Sequence, residues 1–253
     1  MSFCNSSLRK FLLAVLFLIA AGCVTNQAAD KERATALMNL GNSLVAQGQY
    51  REGLEKLLES AEVDPENEEV YLQVALVYRN LKEYQKSLAY FEKALELRPD
   101  FPEASNNLGT LYLLLERWDE AIACFKKAAS NVIYKTPHFA YHNMGWAFFK
   151  KGEYDRAIES YKKAIELLPS YAPCHIKLGL VYESKGQFES AMASFHRALE
   201  VVPGYPPAHL NLGRLYLKRG WKEAAEKELE KAIASDPGGP YAREADRLIR
   251  AAR

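Results

Sequence analysis

Apolar and small residues return along this chain at a fixed interval. Prolines stand at 65, 99, 169, 203 and 237, in steps of 34, 70, 34 and 34 residues. Glycines stand at 41, 109, 145, 179 and 213, with Ala75 in the vacant register. Aromatics follow at Tyr78, Tyr112, Phe148, Tyr182 and Tyr216, with Leu44 in the first period, and alanines at 94, 128, 164, 198 and 232. A period of this length is that of a repeat array, in which each unit is one supersecondary element. The spacing predicts two helices per unit, A and B. Proline at unit position 32 ends helix B, because it cannot donate a hydrogen bond and restricts the residue before it.

The small and large positions predict how A meets B. Position 8 (Gly41, Ala75, Gly109, Gly145, Gly179, Gly213) lets helix A approach closely, and position 20 (Gly53, Ser87, Ala121, Ala157, Ala191, Ala225) does so from helix B. The large residue at position 24 (Leu57, Phe91, Phe125, Tyr161, Phe195, Leu229) fills the space between them.

These residues resemble the tetratricopeptide repeat (TPR), with its 34-residue helix–turn–helix unit. Six units fit: 34–67, 68–101, 102–135, 138–171, 172–205 and 206–239. The fold class the resemblance implies is all-α, a right-handed superhelical solenoid of six helix pairs. One pair cannot bury its apolar face alone, so units stack. Residues 241–253, "YAREADRLIRAAR", read as an amphipathic capping helix for the last open face. The rhythm breaks once, where Thr136 and Pro137 intervene between the third and fourth units. This predicts either a longer third helix B or a local loop, with a changed angle between two three-repeat halves, or else a tolerated insertion.

The N-terminus reads differently. Arg9 and Lys10 precede the apolar run "FLLAVLFLIAA", which is shorter than the roughly 20 residues of a spanning helix, and "AAGC" ends at Cys23. This resembles a bacterial lipoprotein signal, although Ala20 stands where leucine is usual. The resemblance implies a signal peptide over 1–22, a lipidated Cys23 and a polar tether over 23–33. The other reading is an ordinary signal peptide with an incidental cysteine. Acyl chains on Cys23 would hold the protein to a membrane at about 0.8 kcal/mol per buried methylene. With Val24, not aspartate, after the cysteine, lipoprotein sorting rules imply the periplasmic face of the outer membrane.

Composition narrows the chemistry. Lys plus Arg (33) and Asp plus Glu (32) nearly cancel, so no basic stripe argues for nucleic acid. Loss of Arg9 and Lys10 with the signal takes the net charge from +1 to −1. Cysteines at 4, 23, 124 and 174 match no zinc pattern and are too few for a disulfide scaffold. Cys124 and Cys174 read as small buried apolar residues. No phosphate loop, nucleophile elbow or metalloprotease motif occurs, so neither an enzyme nor a cofactor is expected. His138 and His142 lie four apart, but no third ligand completes a metal site.

The resemblance implies that helix A positions 2, 5, 6, 9, 12 and 13 line a concave groove. Position 6 carries Asn39, Gln73, Asn107, Asn143, Lys177 and Asn211. An amide can donate to and accept from an extended backbone at once, so such a column suits a bound segment. The alternative is that these amides cap or bridge helices. Phe139 (position 2), His142 (5), Trp146 (9) and Phe149 (12) add an aromatic patch, whereas Phe148 (11) reads as packing. Such patches mark interaction sites unless a neighbouring repeat or the last helix covers them. The carboxylate clamp of some relatives is not evident, since Met38 and Leu72 occupy its sites.

The order of signal, tether, repeats, irregular junction and terminal helix resembles the type IV pilus biogenesis lipoproteins, the pilotins. That resemblance implies a protein partner, a secretin subunit, held in the groove of a membrane-anchored binding module. A scaffold for cell-wall hydrolases or other envelope enzymes is the alternative function on the same fold.

Overall fold

The computed structural model describes residues 27–252. The signal over 1–22 and the lipidation site Cys23 lie outside them. Thirteen α-helices and no strand occur among the described residues. They are α1 (27–46), α2 (Tyr50–Val63), α3 (Glu68–Asn80), α4 (Tyr84–Leu97), α5 (Pro102–Leu114), α6 (Trp118–Ala129), α7 (Pro137–Lys150), α8 (Tyr154–Leu167), α9 (Ala172–Ser184), α10 (Phe188–Val201), α11 (Pro206–Lys218), α12 (Lys222–Ser235) and α13 (Pro240–Ala252). Five helix Bs end two residues before the proline of their repeat, as expected of a residue that cannot continue a helix. Two compact units emerge, one ending at Ala104 and one beginning at Ser105.

In the first unit, Leu57 of α2 packs with Val70, Val74, Val77 and Tyr78 of α3. Hydroxyls satisfy helix carbonyls where the backbones are close: Ser60 Oγ donates to Ala34 O at 2.7 Å, and Ser87 Oγ to Ala75 O at 2.8 Å. The first helix begins earlier than the tether reading allowed. Residues 27–33 are helical, because Ala28, Ala29, Lys31, Glu32 and Arg33 are strong helix formers with no glycine or proline among them.

In the second unit, each pair repeats one contact. A Cβ on Gly109 would lie 2.6 Å from Cε1 of Phe125, and one on Gly145 would lie 2.9 Å from Cε1 of Tyr161. Phe125, Tyr161, Phe195 and Leu229 are fully buried. Burial of each such side chain contributes about 1.5–3 kcal/mol. Ile176 of α9 joins Ala208, Leu212 and Leu215 of α11 in one cluster, so successive repeats share a core.

The A-to-B turns share a feature of their own. One residue in each of these turns adopts a positive φ: Gly48, Lys82, Glu116, Gly152, Gly186 and Gly220, all at unit position 15. At Lys82 and Glu116 (φ 61° and 57°) an L side chain sits in the left-handed region that glycine occupies without cost.

Of the alternatives at the third junction, the structure has the loop. Helix α6 has 12 residues against 14 in α4, α8, α10 and α12, so the third helix B is shortened, not lengthened. Asn131 Oδ1 accepts from the Ile133 N–H at 2.9 Å, closing a turn. Tyr134 is buried while Val132 and Ile133 are 98% and 72% exposed. Pro137 then starts α7 at a position where no N–H is needed.

Helix α13 packs on α11 and α12. Ala245, with Leu248 and Ile249 beside it, joins Leu210, Leu229 and Ala232. The Asp236 carboxylate accepts from the N–H groups of Tyr241 (2.8 Å) and Ala242 (3.4 Å), capping α13.

Candidate functional site

Helix α7 carries the densest set of candidate residues. Its register buries Ala140, Met144, Ala147 and Phe148 and leaves Trp146 and Phe149 half-buried on another face. This accounts for aromatics at three of four consecutive positions: Phe148 belongs to the core, while Trp146 and Phe149 meet each other at 5.4 Å between ring centroids. Phe149 also lies 5.8 Å from Tyr154.

Two cations address the indole of Trp146. Lys177 Nζ of α9 stands 4.0 Å from its centroid, and Lys150 Nζ stands 5.7 Å from it and 5.7 Å from that of Trp118. Burial pulls the Lys177 ammonium down from its ordinary value. The π face compensates part of the lost hydration.

Two turns earlier, Phe139 and Tyr171 meet edge to face at 5.4 Å. Phe139 is 37% exposed. Asn143 Nδ2 donates to Asn106 Oδ1 at 3.4 Å, joining α7 to α5. Asn107 lies half-buried on α5. Asn39, exposed on α1, and Gln73, whose Nε2 donates to Glu69 Oε1 at 2.8 Å, belong to the first compact unit.

Two candidates are placed differently from the groove reading. His142 turns inward, its ring edge-on to Tyr161 (5.5 Å) and Tyr171 (5.3 Å), and Nδ1 is buried. Position 5 faces the seam between repeats: Leu72, Ile176 and Leu210 at the same register are all buried. Burial, with smaller contributions from Lys177 and His138, lowers the His142 pKa to about 4, so the ring is neutral near pH 7. Asn211 is also buried, its Nδ2 donating to Pro207 O at 2.7 Å within its own helix. There α13 lies against α11 and encloses the adjoining Leu210.

Sequence reasoning did not single out Lys150, Lys177 or Tyr171 as site residues. The only sign was that Lys177 interrupts the amide column at position 6.

Elsewhere, a cleft of about 610 Å³ lies between α6, α7 and α8, lined by Tyr141, Met144 and Phe148 with charged stems. Two of its cations are engaged, Arg156 by Glu153 and Lys163 by Glu166. Cys174 is buried and Cys124 half-buried; burial raises their thiols to about 12 and about 11. Among the described residues no group of three or more His, Cys, Asp or Glu could hold a metal, and no helix is long and apolar enough to cross a membrane.

Models of the tetratricopeptide repeat match residues 32–100 and 66–128, 145–186, and 184–247. No curated protein matches the chain. Among solved structures, the chain is similar to PilW, described as a widely conserved type IV pilus biogenesis factor. That likeness has 25% identity and a TM-score of 0.76, and covers 83% of this chain and 97% of PilW. The chain is also similar in fold to PilF of Pseudomonas aeruginosa, with 17% identity, a TM-score of 0.73, and 87% and 99% of the two chains covered. YrrB, described as a TPR protein with an unusual peptide-binding site, has 25% identity and a TM-score of 0.56, with 76% and 97% covered. Tetratricopeptide-repeat proteins are in general non-catalytic scaffolds that bind proteins. The repeat matches, the all-helical fold and the recurring small-to-large helix contacts agree: the chain is a member of the tetratricopeptide-repeat family.

Proposed function

We propose that this protein is a peptide-binding module of type IV pilus biogenesis, held to the periplasmic face of the outer membrane through a lipid on Cys23. Its partner is an envelope polypeptide, a secretin subunit, captured on the α7 face. The observation that carries the binding role is Trp146: a large aromatic left half-buried beside Phe149 on helix A of a repeat, where an interface anchor is favoured. The pilus assignment draws on the likeness to PilW over nearly all of that chain, together with the lipoprotein-like signal. Fold alone would not carry it.

The test is the double variant Trp146→Ala, Asn143→Ala. Capture of the secretin subunit by the membrane-anchored protein should fall, while helical content by circular dichroism and the melting temperature are retained. Unchanged capture by a folded variant would defeat the assignment of the surface. Cys23→Ala should release the protein from outer-membrane fractions; retention there would defeat the anchor.

A further inference from the structure

The charges around Trp146 specify the partner further. In the second compact unit, the helix-A positions expected to face a ligand carry four cations, Lys150, Lys177, Arg214 and Lys218. They carry one carboxylate, Glu183, and Lys218 engages it. Most basic side chains elsewhere in this unit have acidic partners: Lys151 holds Asp119 and Glu153, and Lys163 holds Glu166. Among the described residues no salt bridge involves Lys177 or Lys150; both are placed over the indole of Trp146 instead. Lys177 is half-buried on α9. A partly desolvated ammonium is costly unless an anion meets it, and an aromatic face compensates only in part. The surface therefore combines an apolar platform, Trp146 and Phe149, with two cations, Lys150 and Lys177, that are placed over the indole and not against a carboxylate.

Resting on the proposed peptide-binding role, we infer that the partner segment is acidic and apolar together: a carboxylate side chain next to an apolar residue. The apolar residue seats on Trp146 and Phe149. The neighbouring Asp or Glu side chain takes the Lys177 ammonium that stands over the indole, with Lys150 as a second, exposed cation. The Asn143–Asn106 amide pair lies on the adjoining turn and offers donors and acceptors to the backbone of that segment. Charge-assisted pairing in a half-buried site gives orientation as well as affinity, and it weakens as salt rises.

A phage-displayed library of random dodecapeptides fused through their C-termini tests this on the full-length protein in detergent. Such peptides have no free terminal carboxylate, so any acidic preference comes from side chains. Expected are sequences enriched in Asp or Glu beside a large apolar residue. Synthetic, C-terminally amidated versions should bind Lys177→Gln about tenfold or more weakly and lose affinity as salt increases. Lys177→Gln keeps most of the stem, and its melting temperature verifies the fold. Peptides that need Trp146 but show no acidic enrichment and bind Lys177→Gln equally would overturn this inference and leave the peptide-binding role standing. If no peptide is selected, or if Trp146→Ala binds the selected peptides equally, the role of the surface fails and the inference with it.

Discussion

Acid should loosen the protein through His142 before its carboxylates are affected. The ring is packed against Tyr161 and Tyr171, and its pKa is lowered from 6.5 to about 4, first by burial and then by Lys177 and His138. A histidine depressed in the folded state favours folding fully above its unfolded pKa. That contribution is lost as pH falls from 6.5 through about 4. At pH 5 the unfolded chain holds this proton almost completely and the folded chain only about one-tenth of the time, so folding loses about 2 kcal/mol relative to pH 7. His138, also lowered by burial, adds in the same direction. Urea unfolding of wild type and His142→Gln at pH 7 and pH 5 isolates the effect, because other titrations cancel in the difference. The stability gap between the two proteins should shrink by about 2 kcal/mol at pH 5. A gap that does not change with pH, or a His142 imidazole that titrates near 6.5 by NMR, would refute the reasoning.

Further outcomes follow from other contacts. Burial opposes ionisation of Glu228, but hydrogen bonds from His209 (2.7 Å) and Lys231 outweigh it and bring its pKa to about 2. Its contribution is present above 4.5 and lost as pH falls through about 2. Glu228→Gln should remove roughly 2 kcal/mol at neutral pH, less than the full shift implies because solvent screens the Lys231 arm, and flatten the acid limb of an unfolding titration. Gly145→Val puts a branched side chain where even a Cβ meets the buried Tyr161 ring at 2.9 Å. It should cost about 1–3 kcal/mol or more in denaturant unfolding. Glu116→Gly should raise stability by about 0.5–1 kcal/mol, since φ there is 57°, read as a higher melting temperature. Val132→Ser with Ile133→Ser should leave the midpoint within about 0.5 kcal/mol, because both side chains are exposed.

The parts of the fold legible in the sequence are those that depend on local sterics. Proline cannot continue a helix past its first turn, so the helix B ends follow directly from Pro65, Pro99, Pro169, Pro203 and Pro237. Gly109 opposite Phe125 and Gly145 opposite Tyr161 are legible because each large ring needs a missing Cβ. What was not legible depends on neighbours. Position 5 alternates between Asn106, His142 and buried aliphatics, and only the stacking of repeats shows that His142 points into the seam. Asn211 has the same sequence context as Asn107 and Asn143, yet it lies on the helix that α13 packs against. Turn position 15 escaped because two of its six residues are lysine and glutamate, which give no hint of a positive φ. The cations around Trp146 lie on two different helices, and no spacing rule within one repeat joins Lys177 to Trp146.

Photo-crosslinking tests most directly whether the α7 face holds the partner. p-Benzoylphenylalanine is placed at Phe149, beside Trp146, and separately at Glu159, in the cleft between α6, α7 and α8. Irradiation of cells assembling pili should give a secretin adduct from position 149 and none from position 159. An adduct from 159 with none from 149 would contradict the account.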